Sequence, residues 1–308
     1  MKTVIKFEHV SRWYGNVLGL NDASVNIGKG IAGLVGPNGA GKTTFMRLAV
    51  GNILQNQGIV LINGESPWNN SELYRDVGFA PEGDNFFPWM TGFDYMVYSA
   101  KMFGYVGNDA KKRSMELLEL MKLEHAASKK LTAYSKGMKQ RIKVAQALIP
   151  DPKTLILDEP LNGLDPIMRM EMIDLFKEMS AKGKNILISS HILHEVEKMT
   201  DNIVLINRGR IIAEGNIHDI RNMIDSHPHH ITIIADKPAL LREKLVSTNY
   251  IQSVGGTDTV EVYTSYPATF YGDIPKIADK NKIVIRKLTS DDDNLEAVFN
   301  YLTQGAFQ

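Results

Sequence analysis

No cysteine occurs among the 308 residues. Its absence excludes disulfides, thiolate zinc sites and cysteine nucleophiles, and it fits a reducing compartment. No run of about 18 apolar residues occurs either, so nothing reads as a membrane-spanning helix. Residues 1–12 alternate apolar and charged side chains and lack the apolar stretch of a signal peptide. Net charge is also missing, because 35 Lys and Arg balance 35 Asp and Glu. That balance removes any global pull toward nucleic acid or anionic lipid. The chain reads as soluble or peripheral, and it is long enough for one large domain and a small one. No internal repeat or low-complexity tract is evident.

What is present up to about residue 220 is a succession of short apolar runs and helical periods. Residues 31–35, 154–157, 185–189 and 203–206 are rich in Ile, Leu and Val and read as buried strands. A helical period at 42–50 is closed by Gly51. Strands alternating with helices argue for an α/β domain with a largely parallel sheet. Residues 92–150 carry helical periods at 115–123 and 138–149 and no comparable strand, so a helical subdomain is expected over about 85–150. The polar stretch Asp225-Ser-His-Pro-His-His230 reads as linker rather than as a histidine metal tract of His227, His229 and His230. Beyond it the order is strand 230–235, helix 238–247, strands 251–254 and 259–264, helix 269–281, strand 282–288 and helix 294–303. That is a βαββαβ, ferredoxin-like order with an added helix, in a small α+β domain. The expected division is therefore 1–222 and 223–308. Asp291-Asp-Asp293, just before the last helix, reads as an acidic helix start rather than a calcium site.

Three motifs carry the chemistry. Gly36-Pro-Asn-Gly-Ala-Gly41-Lys42-Thr43 fits the phosphate-loop pattern G-x-x-x-x-G-K-[ST], after a strand and opening a helix. Glycines let backbone N–H groups curl around phosphate oxygens, and the helix N-terminus adds partial positive charge. Lys42 is placed to reach the β- and γ-phosphates of ATP, and the Thr43 hydroxyl to ligate Mg²⁺. The apolar run Thr154-Leu-Ile-Leu ends in Asp158 and Glu159. Carboxylates at a buried strand end need cationic compensation. Mg²⁺ would supply it for Asp158, leaving Glu159 to polarise the attacking water. A third apolar run ends in Ser190-His191. A histidine there is by itself more often a satisfied core or surface group.

Taken together, these motifs resemble the ATPase subunit of ATP-binding-cassette transporters. Tyr134-Ser-Lys-Gly-Met-Lys-Gln-Arg141 resembles that family's signature, usually Leu-Ser-Gly-Gly-Gln, and keeps Ser135 and Gly137 while departing at Tyr134, Lys136 and Met138. The resemblance implies that Ser135 and Gly137 close over ATP held by the other subunit of a head-to-tail dimer. It also implies an adenine-stacking role for Tyr14, ATP contacts from Asn38, Gly39, Ala40, Gly41 and Thr44, and a γ-phosphate contact for His191. Leu161-Asn-Gly-Leu-Asp165 resembles the loop linking the two sites, and Ile211-Ile-Ala-Glu-Gly215 the closing hairpin. The loop after the strand at 77–80 carries Pro81-Glu82 where the family has a Gln that senses Mg²⁺ and water. A Glu can still ligate Mg²⁺, but it adds negative charge near the phosphates.

The resemblance spans about residues 4–220. Within the family, Glu82, the signature wording and the C-terminal helix look most like stand-alone ATPase subunits of bacterial drug and sodium exporters. Such a subunit pairs with a separate membrane permease through the 83–100 region, at the cytoplasmic face of the cell membrane. The aromatics Phe86, Phe87, Trp89 and Phe93 in that region are divided between core packing and this interface. The runner-up is a soluble cassette ATPase acting on nucleic acid or ribosomes. Against it stand the absence of long heptad runs, the single phosphate loop and the neutral charge. A general P-loop kinase leaves residues 135–141 unexplained.

Overall fold

The computed structural model describes residues 3–84, 86–224, 228–290 and 294–304. It contains two compact units, Met1–Gly215 and Asn216–Gln308. His227 and Asp291, Asp292 and Asp293 lie outside the described residues.

In chain order the first unit opens with β1 (Ile5–Tyr14), β2 (Val17–Ile27), β3 (Ile31–Val35), α1 (Lys42–Ala49) and β4 (Gln57–Ile62). Next come α2 (Leu73–Asp76), β5 (Val77–Ala80), α3 (Gly92–Met102), α4 (Gly107–Leu120) and α5 (Lys136–Ala147). It closes with β6 (Thr154–Leu157), α6 (Pro166–Ala181), β7 (Asn185–Ser190), α7 (Leu193–Glu197), β8 (Asn202–Asn207) and β9 (Arg210–Asn216).

These strands form two sheets. The larger has the order β5-β6-β7-β3-β8-β9, and its pairs from β5 to β8 run parallel. Alternate residues of β6 and β7 feed separate cores. Leu155, Leu157, Ile186 and Ile188 pack with α3 to α6 residues such as Met96, Ile142 and Phe176. Ile156 and Leu187 pack with Phe7, Leu34 and Phe45 on the other face. A sheet buried on both faces explains why these runs are apolar throughout rather than alternating. The second sheet, β2-β1-β4, is antiparallel, with Ile5 opposite both Ile27 and Ile62. There Ile5 and Phe7 point inward while Glu8 is exposed. The Phe7 ring stacks on Phe45 of α1 at 4.0 Å.

Three helices of this unit, α3, α5 and α6, begin where a side chain satisfies one of their first N–H groups. Thr91 accepts from Asp94 N, Ser135 from Met138 N, and Asp165 from Met168 N with Pro166 opening α6. The helical period expected at 115–123 is part of a longer helix, since α4 starts at Gly107. It ends by Leu120, and Lys122 takes a left-handed backbone conformation (φ 55) that stops it.

The second unit runs α8 (Ile217–Asn222), β10 (His229–Ala235), α9 (Pro238–Val246), β11 (Ser253–Gly255), β12 (Val260–Thr264), α10 (Pro267–Asn281), β13 (Ile285–Ser290) and α11 (Leu295–Gln304). Its sheet is antiparallel, with the order β11-β12-β10-β13. Ile231, Ile233, Val260 and Val262 pack against Leu241, Leu245, Phe270 and Ile274. The last strand starts at 285, later than the expected 282, because Lys282 closes α10 in a left-handed conformation (φ 52). Among the described residues of the whole chain, no helix is long and apolar enough to cross a membrane.

Candidate functional site

The fully buried strand β3 delivers the chain into the loop Gly36–Gly41, which turns directly into α1. Gly39 (φ 80) and Gly41 (φ 109) adopt left-handed conformations that side chains disfavour. Gly36 is required for a different reason, since a Cβ there would lie 2.1 Å from the carbonyl oxygen of Ile206. Gly41 caps α1 and provides no side-chain acceptor, so the first N–H groups of the helix stay available to an anion. Asn38 and Gly39 are exposed, Ala40 is buried, and Thr43 and Thr44 are half-buried on the first turn. The Lys42 ammonium folds back, donating to Gly36 O at 2.8 Å and Pro37 O at 3.3 Å, and is only 7% exposed.

Parallel pairing of β6 with β7, Leu157 opposite Ile188, brings the acids beside the end of β7. Asp158 is 1% exposed. Its Oδ1 accepts a 2.6 Å hydrogen bond from Ser189 Oγ, while Oδ2 is buried with no hydrogen-bond partner among the described residues. Glu159 is also buried, and its backbone is left-handed (φ 51). Its N–H donates to Ser189 Oγ at 2.8 Å, and its carbonyl accepts from Gln140 Nε2 at 3.0 Å. Its carboxylate pairs with Lys42 Nζ at 3.4 Å and lies 2.9 Å from His191 Nδ1. The loop lysine, both acids and the histidine therefore form one network.

The remaining candidates sit around this centre or apart from it. Tyr14, at the end of β1, lies under the Arg12 guanidinium at 5.0 Å. A Cβ on Gly19 would meet both the Tyr14 ring (2.9 Å) and the Thr44 hydroxyl (3.2 Å), which places the exposed aromatic next to the start of α1. Glu82 is exposed on the loop after β5, and its carbonyl accepts from Lys143 Nζ of α5. Burial pulls the Lys143 ammonium below the usual lysine range, opposed by the carboxylate of Asp84. Ser135 caps α5 and Gly137 lies in its first turn, against the segment before α6. A Cβ on Gly137 would come within 3.0 Å of Gly163 O. Among the described residues, no hydrogen bond joins Ser135 or Gly137 to the loop around Lys42.

Two residues of the network escape motif reading. Ser189 is fully buried, yet in sequence it is one more small residue ending a strand. Gln140 lies inside the signature run 134–141 but has no role assigned there, and its side chain reaches Glu159 through tertiary packing. For Ser189 the available signal was polarity at the end of an apolar run; Gln140, between Lys139 and Arg141, offered none.

Asp158 Oδ2 and the Thr43 hydroxyl are oxygen donors of the kind that hard divalent cations prefer, and a buried, unpartnered carboxylate oxygen is the electrostatic gap such an ion fills. A phosphate cradle, a cation-ready carboxylate and a second acid define the class: a P-loop nucleoside triphosphatase. The family profile described as ABC transporter matches residues 20–162. Bacitracin transport ATP-binding protein of Bacillus licheniformis is 33% identical over 309 residues, 99% of either chain. Nod factor export ATP-binding protein I of Burkholderia orbicola is 37% identical over 245 residues, 78% of this chain and 80% of that one. A solved ATP binding subunit of an ABC transporter superposes with a TM-score of 0.64 at 31% identity, covering 71% of this chain and 92% of that one. The chain belongs to the ABC transporter family, as an ATP-binding subunit that hydrolyses ATP.

Proposed function

We propose that this chain powers an exporter, hydrolysing ATP with Mg²⁺ as cofactor in a head-to-tail dimer of identical chains beneath a separate membrane permease. The observation that carries the reading is the network in which buried Lys42 and exposed His191 share the Glu159 carboxylate while Asp158 Oδ2 has no hydrogen-bond partner among the described residues. On arrival of ATP, Lys42 exchanges Glu159 for the β- and γ-phosphates, and the N–H groups of residues 38–44 surround the phosphate oxygens. Released from Lys42, Glu159 polarises the attacking water, and His191 holds the γ-phosphate end. Thr43, Asp158 and Glu82 are the residues that would hold Mg²⁺, which supplies neutralising charge at the phosphate oxygens. Tyr14 stacks on adenine.

Among the described residues no hydrogen bond joins Ser135 or Gly137 to their own loop, and a second copy would bring them to phosphate. Identical chains supply both halves of each site, and two-fold pairing is the commonest assembly. The exposed aromatics Phe87, Trp89 and Tyr98 support the 83–100 region as the permease contact, which would hold the subunit at the cytoplasmic face of the membrane. The Nod factor export relative supports export. The second unit acts as an accessory domain following the ATPase unit. Titration with a fluorescent ATP analogue tests the site: Lys42→Ala should lose most of the affinity, and unchanged binding would refute the reading.

A further inference from the structure

We infer that Ser189 and Gln140 are positioning residues for hydrolysis, which lock the Asp158–Glu159 pair in the one backbone conformation that separates their tasks. The inference rests on the proposed ATP site. Two adjacent acids just past a strand end are no longer held to the strand's alternation of faces, so the local backbone sets their relative directions. Here they diverge. Ser189 Oγ donates to Asp158 Oδ1 and accepts from the N–H of Glu159, so a single hydroxyl holds both residues. Because Oδ1 is occupied, Oδ2 is the oxygen left to a cation.

The left-handed backbone of Glu159 (φ 51) is a conformation that side chains other than glycine rarely adopt without outside help. It is gripped on both sides, at N–H by Ser189 of β7 and at C=O by Gln140 of α5, with Asn162 N of the following turn donating to the same carbonyl at 3.1 Å. Both gripping side chains are buried, Ser189 fully and Gln140 at 4% exposure. The direction of the Glu159 carboxylate, toward Lys42 and His191, follows from that backbone turn. Gln140 lies on the helix that Ser135 opens, so the element proposed to meet the partner's ATP also holds the backbone of its own subunit's Glu159.

The two residues should have separable effects. Ser189→Ala frees Asp158 Oδ1 and leaves two buried groups unpaired. Its affinity for a fluorescent ATP analogue without divalent cation should not fall below that of the unmodified chain, since loosening Glu159 does not strengthen its competition for Lys42. The gain in affinity on adding Mg²⁺ should shrink by about tenfold or more, the scale of a hydrogen bond to a charged group. Ser189→Cys, which keeps a weak donor of similar size, should fall between the two. Gln140→Ala should keep the Mg²⁺ gain, because the Gln140 side chain hydrogen-bonds the Glu159 carbonyl and neither carboxylate, and should lower kcat by about tenfold with KM little changed. A residue serving stability alone would lower the melting temperature and leave both readouts in place. An intact Mg²⁺ gain in folded Ser189→Ala or Ser189→Cys, or unreduced kcat in Gln140→Ala, would overturn the inference. Failure of the unmodified chain to bind the analogue would instead defeat the ATP site itself.

Discussion

Replacing Glu159 with Gln should move affinity and turnover in opposite directions. The Glu159 carboxylate is the counter-charge of Lys42, with both side chains 7% exposed and 3.4 Å between N and O. At an effective dielectric of about 20, that separation corresponds to roughly 5 kcal/mol of gross attraction. Desolvation of two buried ions offsets several kcal/mol of it, leaving a net hold on the order of 1–2 kcal/mol. ATP must displace this partner before Lys42 can reach phosphate. With a neutral amide in place the competition falls away, so binding should tighten by about tenfold. Turnover should fall by about 10²–10⁴, the usual contribution of a positioned general base. Equilibrium titration with a fluorescent nucleotide reads the first effect and steady-state phosphate release the second. Turnover within twofold of the unmodified chain, or binding that weakens along with turnover, would refute the reasoning.

Other consequences follow from packing and charge. Gly36→Ala would drive a methyl group against Ile206 O, a contact that no side-chain rotation relieves, so the variant should lose nucleotide binding and melt well below the unmodified chain in a thermal scan. Arg169→Met would strip the ion pair from Glu195, a carboxylate 3% exposed and held at 3.0 Å, at a cost of about 2 kcal/mol in urea denaturation once the partial exposure of Arg169 is discounted. Adding Glu195→Gln should return most of that loss, and no recovery would argue against the pair. The hydrogen bond from Lys184 holds the Asp151 carboxyl below the usual carboxylate range. Its stabilising contribution is therefore present near neutral pH and disappears as pH falls through the lowered folded value. Asp151→Asn should be slightly less stable than the unmodified chain near neutral pH and indistinguishable from it in strong acid.

The sequence made the parallel core and the phosphate loop readable because both depend on local order: an apolar run, a glycine-rich turn, then a helix. The same is true of β6 and β7, whose ends carry Asp158 and His191. The antiparallel sheet of β1, β2 and β4 was not readable, because its pairings join Ile5 to Ile62 and depend on distant partners. For the same reason the network around Ser189 could not be read. Its hydroxyl matters only because β6 and β7 are in register, and no spacing along the chain encodes that register. The start of α4 was missed because its first turns, Gly107-Asn-Asp-Ala-Lys-Lys, carry a single apolar residue and so no helical period. His229 was assigned to a linker for its polarity, but it pairs with Thr264 as the first residue of β10.

Phosphate release from mixed chains tests the shared ATP site most directly. Lys42→Ala spoils the loop half of each site and Ser135→Arg the signature half, so either variant alone should be inactive. In an equal mixture, random two-fold pairing puts both lesions in one site of each mixed dimer and leaves the other intact, restoring about a quarter of the unmodified activity. Mixed dimers demonstrated by mass, yet silent in phosphate release, would contradict the account.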